Sequence, residues 1–166
     1  MTKDEFYMGK ALEEAKTAYA VGEIPIGAVI IYQKKAIARA YNLRESLPCA
    51  TAHAELLAIE KACRALGRWR LSGCTLYVTC EPCPMCAGAI VNSRLDRVVY
   101  GCADPKAGAV RSLFQLADSP LLNHRASITA GVRADECAAL LKDFFRKKRK
   151  KMILDNPEII VITDET

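Results

Sequence analysis

His53-Ala54-Glu55 and Pro82-Cys83-Pro84-Met85-Cys86 hold the residues of this 166-residue chain best suited to chemistry. One imidazole and two thiolates form a ligand set that favours zinc, and three protein ligands leave a fourth position open for water. Cys83 and Cys86 are three residues apart, which puts both sulfurs on one side of a first helical turn, and Pro84 suits the first helical position between them. A helix N-terminus there favours thiolate over thiol. Glu55 lies about 200° from His53 around a regular helix, so both can face one centre only in an irregular first turn. A carboxylate acting as fourth ligand would close the site, so Glu55 reads as the proton carrier.

Two other metal readings compete with an open zinc site. A structural zinc wants four Cys or His ligands, and the one other histidine, His124, is distant in a Pro/Asn-containing stretch. Cys80 would complete the run Cys80-x-x-Cys83-x-x-Cys86, an iron–sulfur-like spacing, but Ile90 stands where the next cysteine would fall. Cys80 is expected to end a strand instead.

These residues need elements to hold them. Phe6 to Ala20 has helical apolar spacing, broken by Gly22 and Pro25. Ala28 to Tyr32 and Ala36 to Tyr41 read as strands of a hairpin turning at Gln33-Lys34. A helix capped by Thr51 carries His53 and runs to about Leu66-Gly67; Thr75 to Thr79 is strand-like, and the Cys83 helix reaches about Ser93. Arg97 to Tyr100 and Ser127 to Ala130 supply two more strands, separated by a loop with a short helix near Leu113, and a last helix starts near Ala134. Five strands with about five helices, some as crossovers, predict an α/β layered domain with part of its sheet parallel. No repeat or long linker divides the chain, so residues 1–151 are expected to form one domain and 152–166 a tail of unassigned role.

Half of the chain is hydrophobic, yet the longest apolar stretches, Gly27 to Tyr32 and Ile159 to Ile162, are too short to cross a bilayer. The polar start Thr2-Lys3-Asp4-Glu5 does not resemble a signal peptide, and eight scattered cysteines then fit reduced thiols in the cytoplasm better than a disulfide framework. Net charge is +5, but Arg146 to Lys151 contributes six positive charges; subtracting these leaves −1 for the rest. With Phe144-Phe145 just before it, this run joins stacking faces to phosphate-neutralising cations, as single-stranded nucleic acid requires. A solvated helix end or a localisation signal would look similar.

H-x-E paired with P-C-x-x-C matches the established signature of the zinc nucleobase deaminases, a pattern recognised here rather than deduced. From about Asp4 to Lys148 the chain resembles the bacterial tRNA-specific adenosine deaminases. The resemblance is carried by Glu23 to Ala28, the Asn42 segment, Thr51 to Glu55, Glu81 to Ala89, Asp104 to Ala109, Asn123-His124-Arg125 and Ala134 to Leu141. It implies a three-layer α-β-α cytidine-deaminase-like fold with a five-stranded mixed sheet. It also implies a homodimer with one Zn2+ per subunit and deamination of adenosine to inosine at wobble position 34 of a tRNA anticodon stem-loop, an arginine tRNA being expected.

Carried onto this sequence, the resemblance makes His53, Cys83 and Cys86 the zinc ligands and Glu55 the catalytic proton shuttle. Asn42 and the backbone of Ala54 would hold the flipped purine against Ile26. Asp104 and Lys106 would meet neighbouring nucleotides, while Phe144, Phe145 and Arg149 would grip flanking bases and phosphates. Asp104 also reads as a turn residue before Pro105. Two rival functions stand beside this one: a deaminase of free bases, nucleosides or nucleotides, which has no need of the aromatic and basic run, and a non-catalytic RNA-binding subunit, which has no need of Glu55.

Overall fold

The computed structural model of the protein describes residues 1–159. Among these, four α-helices and five strands follow in the order α1 (Lys3–Ala20), β1 (Gly27–Tyr32), β2 (Lys35–Tyr41), α2 (Ala54–Leu66), β3 (Cys74–Cys80), α3 (Pro84–Asn92), β4 (Arg97–Cys102), β5 (Ser127–Thr129) and α4 (Ala134–Asp155). A 3-10 turn over Pro157–Ile159 comes after α4. The helix continues through residue 151, and the last part of the tail, 160–166, lies outside the described residues.

The sheet order is β2-β1-β3-β4-β5. β1 pairs antiparallel with β2 and β3, whereas β3–β4 and β4–β5 are parallel, giving the expected mixed sheet. Strand side chains alternate between two buried faces. Ala28, Ile30, Leu76, Val78, Val98 and Tyr100 pack with Ala54, Ala58, Ala62 and Ile90, so α2 and α3 cover one side. Val29, Ile31, Tyr77 and Val99 pack with Tyr7, Met8, Ala11 and Cys137, so α1 and α4 cover the other. Cover on both faces explains why the central strands are nearly continuous apolar runs.

α1 begins three residues earlier than its apolar spacing predicts. A capping box extends it: the Glu5 amide donates to Thr2 Oγ1 at 3.1 Å and the Thr2 amide to Glu5 Oε2 at 2.8 Å. The hairpin turns at Gln33 (φ 49°) and Lys34 (φ 64°), the positive pair needed to match strand twist in a two-residue loop. A Cβ on Gly27 would stand 2.1 Å from the Ala11 carbonyl oxygen, so glycine permits the close seating of α1 on β1.

One expected element is absent. No helix forms near Leu113; residues 109–113 run through successive turns. The amides of Val110, Arg111 and Ser112 donate to a distant carboxylate, that of Glu81, and the Ala109 amide to the Pro82 carbonyl, so no helical hydrogen-bond ladder builds there.

Candidate active site

β3 and β4 run parallel and end side by side at Cys80 and Cys102. Chain leaving the carboxyl ends of such strands is where open α/β sheets place their ligands. β3 leads through Glu81-Pro82 into α3, whose N-cap is Cys83 in an extended conformation, with Pro84 at its first position and Cys86 buried in the first turn. His53 is the N-cap of α2, displacing Thr51 from that expected role, and its extended backbone (φ −79°, ψ 148°) supplies the irregular first turn that lets Glu55 turn toward the same point. Two helix N-termini thus converge on one centre.

His53, Cys83 and Cys86 form a compact ligand cluster, with His53 Nδ1 3.6 Å from each sulfur. Zinc bonds of about 2.3 Å to sulfur and about 2.0–2.1 Å to nitrogen, at a tetrahedral angle, place S and N about 3.6 Å apart, which matches both nitrogen–sulfur spacings here. Cys80 is not part of the cluster. It ends β3 as expected and lines the cavity instead.

The electrostatics suit the same roles. The Cys83 thiol is pushed down to about 4 by the hydrogen bond from Cys86 and by the one with His53, against the opposing effect of burial. Cys86 is pushed up by donating that bond and by burial. His53 is raised, mainly by its hydrogen bond with Cys83. Glu55 is 4 % exposed, and burial raises its carboxyl above the ordinary range, which suits a group that must both take and give a proton.

These groups open onto a cavity of about 200 Å³, smaller than sites that enclose a drug-sized ligand and on the scale of a single base. Ile26, Asn42, Ala54 and Asp104, all singled out in the sequence, line it together with His53, Glu55 and Cys83. Asn42 is buried; its amide donates to the Ile26 carbonyl at 3.1 Å, and its Oδ1 accepts from the Arg44 amide at 3.2 Å. Asp104 Oδ1 accepts from the amides of Lys106 (3.0 Å) and Ala107 (3.2 Å), so the turn role is real, and the residue also faces the cavity.

Lys106, Phe144, Phe145 and Arg149 do not line the cavity. Phe144 is 8 % exposed, its ring packed edgewise on Tyr19 at 5.6 Å and Phe145 at 5.5 Å, which holds α4 on α1, and it lines a surface pocket with Tyr19, Lys147, Lys148 and Lys151. Phe145, at 40 % exposed, and Arg149 face outward. Two pairings on Asp143 tie down the start of the basic run, with Arg146 at 2.6 Å and Lys147 at 3.3 Å.

Sequence reading assigned no role to the two carboxylates that hold the cavity walls. Glu23, 1 % exposed, accepts from the Ser46 amide (2.5 Å), the Ser46 hydroxyl (2.7 Å) and the Glu45 amide (3.4 Å), fixing the stretch that contains Arg44. Glu81, 3 % exposed, accepts from the amides of Asp104 (3.1 Å), Val110 (3.1 Å), Arg111 (2.8 Å) and Ser112 (2.9 Å) and from the Ser112 hydroxyl. Burial opposes ionisation of Glu81, but these hydrogen bonds outweigh it and hold the carboxyl near about 2. A charged residue entering a buried strand end must find such partners, and that was the available signal.

A His/Cys/Cys ligand cluster beside a buried acid, at the strand ends of an α-β-α layered domain, matches the arrangement of the zinc nucleobase deaminases. Residues 2–149 match the MafB19-like deaminase family. A tRNA-specific adenosine deaminase of Bacillus subtilis is 54 % identical over 151 residues, 91 % of this chain and 94 % of that one; the Aquifex aeolicus relative of the same name is 45 % identical over 149 residues, 90 % and 98 % of the two chains. A solved structure from work on tRNA:A34 deaminases that edit A to I at the wobble position has TM-score 0.79 and 44 % identity, covering 82 % of this chain and 99 % of that chain. A guanine deaminase from Nitrosomonas europaea is more distant, at TM-score 0.71 and 26 % identity, covering 87 % and 85 %. The chain is an enzyme of this deaminase family and belongs among the tRNA-specific adenosine deaminases.

Proposed function

We propose that this protein hydrolyses adenosine to inosine at position 34 of a tRNA anticodon, an arginine tRNA being the expected substrate, with one zinc per subunit held by His53, Cys83 and Cys86. The observation that carries the reading is the 3.6 Å ligand triangle beside buried Glu55, facing a base-sized cavity. A zinc ion bound by His53, Cys83 and Cys86 would supply Lewis-acid activation of the attacking water, lowering its pKa toward about 7. Glu55 takes a proton from the attacking water, delivers it to the purine ring as oxygen bonds to C6, and then assists departure of the 6-amino group as ammonia. Adenosine and water are consumed; inosine and ammonia leave.

In this reading Asn42 and the Ala54 backbone hold the flipped base against Ile26. Asp104 and Lys106 take neighbouring anticodon nucleotides, and Phe145 and Arg149 supply stacking and phosphate contacts. The enzyme acts as a homodimer in the cytoplasm, where its eight free cysteines stay reduced. Among the described residues no helix is long and apolar enough to cross a membrane.

Incubation with total tRNA followed by sequencing tests the proposal. Conversion confined to position 34 of an arginine tRNA, together with one zinc per chain by elemental analysis, is expected. The likeness to the guanine deaminase makes free purine the rival substrate, and ammonia release from guanine or adenosine with untouched tRNA would replace the proposal with that one.

A further inference from the structure

We propose that Glu81 is a positioning residue for substrate RNA, holding the 104–112 stretch as the outer wall of the mouth of the site. This inference rests on the tRNA reading above. Glu81 sits between the end of β3 and the Cys83 ligand segment, and its carboxylate reaches across to residues 23 to 31 positions away. Oε2 accepts from three successive amides, those of Val110, Arg111 and Ser112, and Oε1 accepts from the Asp104 amide and the Ser112 hydroxyl. The Ala109 amide adds a bond to the Pro82 carbonyl at 2.8 Å, next to ligand Cys83. Gly108 leaves room for the clamp, since a Cβ there would stand 2.4 Å from the Glu81 carboxyl.

One residue therefore fixes the outer wall, with Asp104 and Ala107 on the cavity, relative to the metal-ligand segment. The base itself has its own wall in Ile26, Asn42 and Ala54, just before β1, just after β2 and at the start of α2. The 104–112 wall is left to meet what is attached to the base: its ribose and, in a polynucleotide, the flanking nucleotides that a free base or nucleoside lacks. Loosening it weakens capture of RNA more than the proton transfers made by Glu55.

Glu81→Gln is the direct test, because an amide places donors against donors whichever way it turns. In full-length protein with an anticodon stem-loop, KM rises about tenfold while kcat falls less than about threefold and zinc stays at one per chain. Ser112→Ala removes one of the five bonds without touching the carboxylate, and raises KM about threefold by the same logic. If Glu81→Gln does not fold, Ser112→Ala decides. An unchanged KM in the folded variants, or a loss confined to kcat or to zinc content, overturns the positioning role while wild-type activity on the stem-loop keeps the substrate reading. Wild-type enzyme inactive on that RNA overturns both.

Discussion

Glu55 and Glu81 are the same residue type, both nearly sealed from solvent, Glu55 two residues after His53 and Glu81 two before Cys83, yet their carboxyls are shifted in opposite directions. Glu55 stands at a helix start with few partners, and burial raises its carboxyl. Glu81 is ringed by four amides and a hydroxyl and is held down near about 2. Burial is common to both, so the number of donors aimed at each carboxylate decides which one moves protons and which one only holds backbone. On the proposed mechanism, the same fold would make an acid–base catalyst by withholding hydrogen bonds and a fastening by supplying them.

The sharpest way to break this contrast is Glu55→Gln. Inosine formation is expected to fall by about 10²–10⁴-fold, the usual worth of a general acid–base group, with the melting temperature unchanged or raised because a buried carboxyl has been removed. Near-normal turnover in a quenched-time assay would end the assignment of Glu55 as the mobile acid. Gly108→Ala probes the other carboxylate from outside: forcing a Cβ against the Glu81 carboxyl should cost about 1–3 kcal/mol in chemical denaturation. A variant as stable as the parent would show that the clamp is not tightly fitted.

The smallest effect separates fastening carboxylates by pH. Glu23 is lowered from its ordinary value: burial opposes ionisation, but the hydrogen bonds from Ser46 and Glu45 outweigh it. A lowered folded pKa contributes stability that is present above the ordinary carboxylate range and is lost as pH falls through the folded value. Thermal melts from about pH 6 to about pH 3 should therefore lose stability more steeply in wild type than in Glu23→Gln. Parallel slopes would mean that Glu23 is not held ionised by the loop it binds.

Sequence reading recovered the centre better than its walls, for a physical reason. His53, Glu55, Cys83 and Cys86 announce themselves because ligand spacing within one turn is local and Pro84 marks where the turn starts. The mixed sheet was legible from apolar runs and breakers, since the central strands β1, β3 and β4 are buried on both faces. The Glu81 clamp spans up to 31 positions, a pairing that no local pattern encodes, and it erased the helix expected near Leu113 by taking that segment's amides. Phe144 and Phe145 are adjacent, and nothing along the chain says which faces inward; Tyr19, 125 positions earlier, decides.

The connection from residue 103 to 126, between β4 and β5, has no regular secondary structure, yet it is pinned at a few points. Glu81 holds its first part, Arg111 and Asp118 pair within it at 2.8 Å, and His124 Nε2 donates to the Leu95 carbonyl at 2.7 Å near its end. Between the pins, residues such as Lys106, Phe114 and Leu121 are exposed and bear little of the fold's weight. Substitutions between the pins would therefore alter the surface beside the cavity without releasing the connection from the sheet.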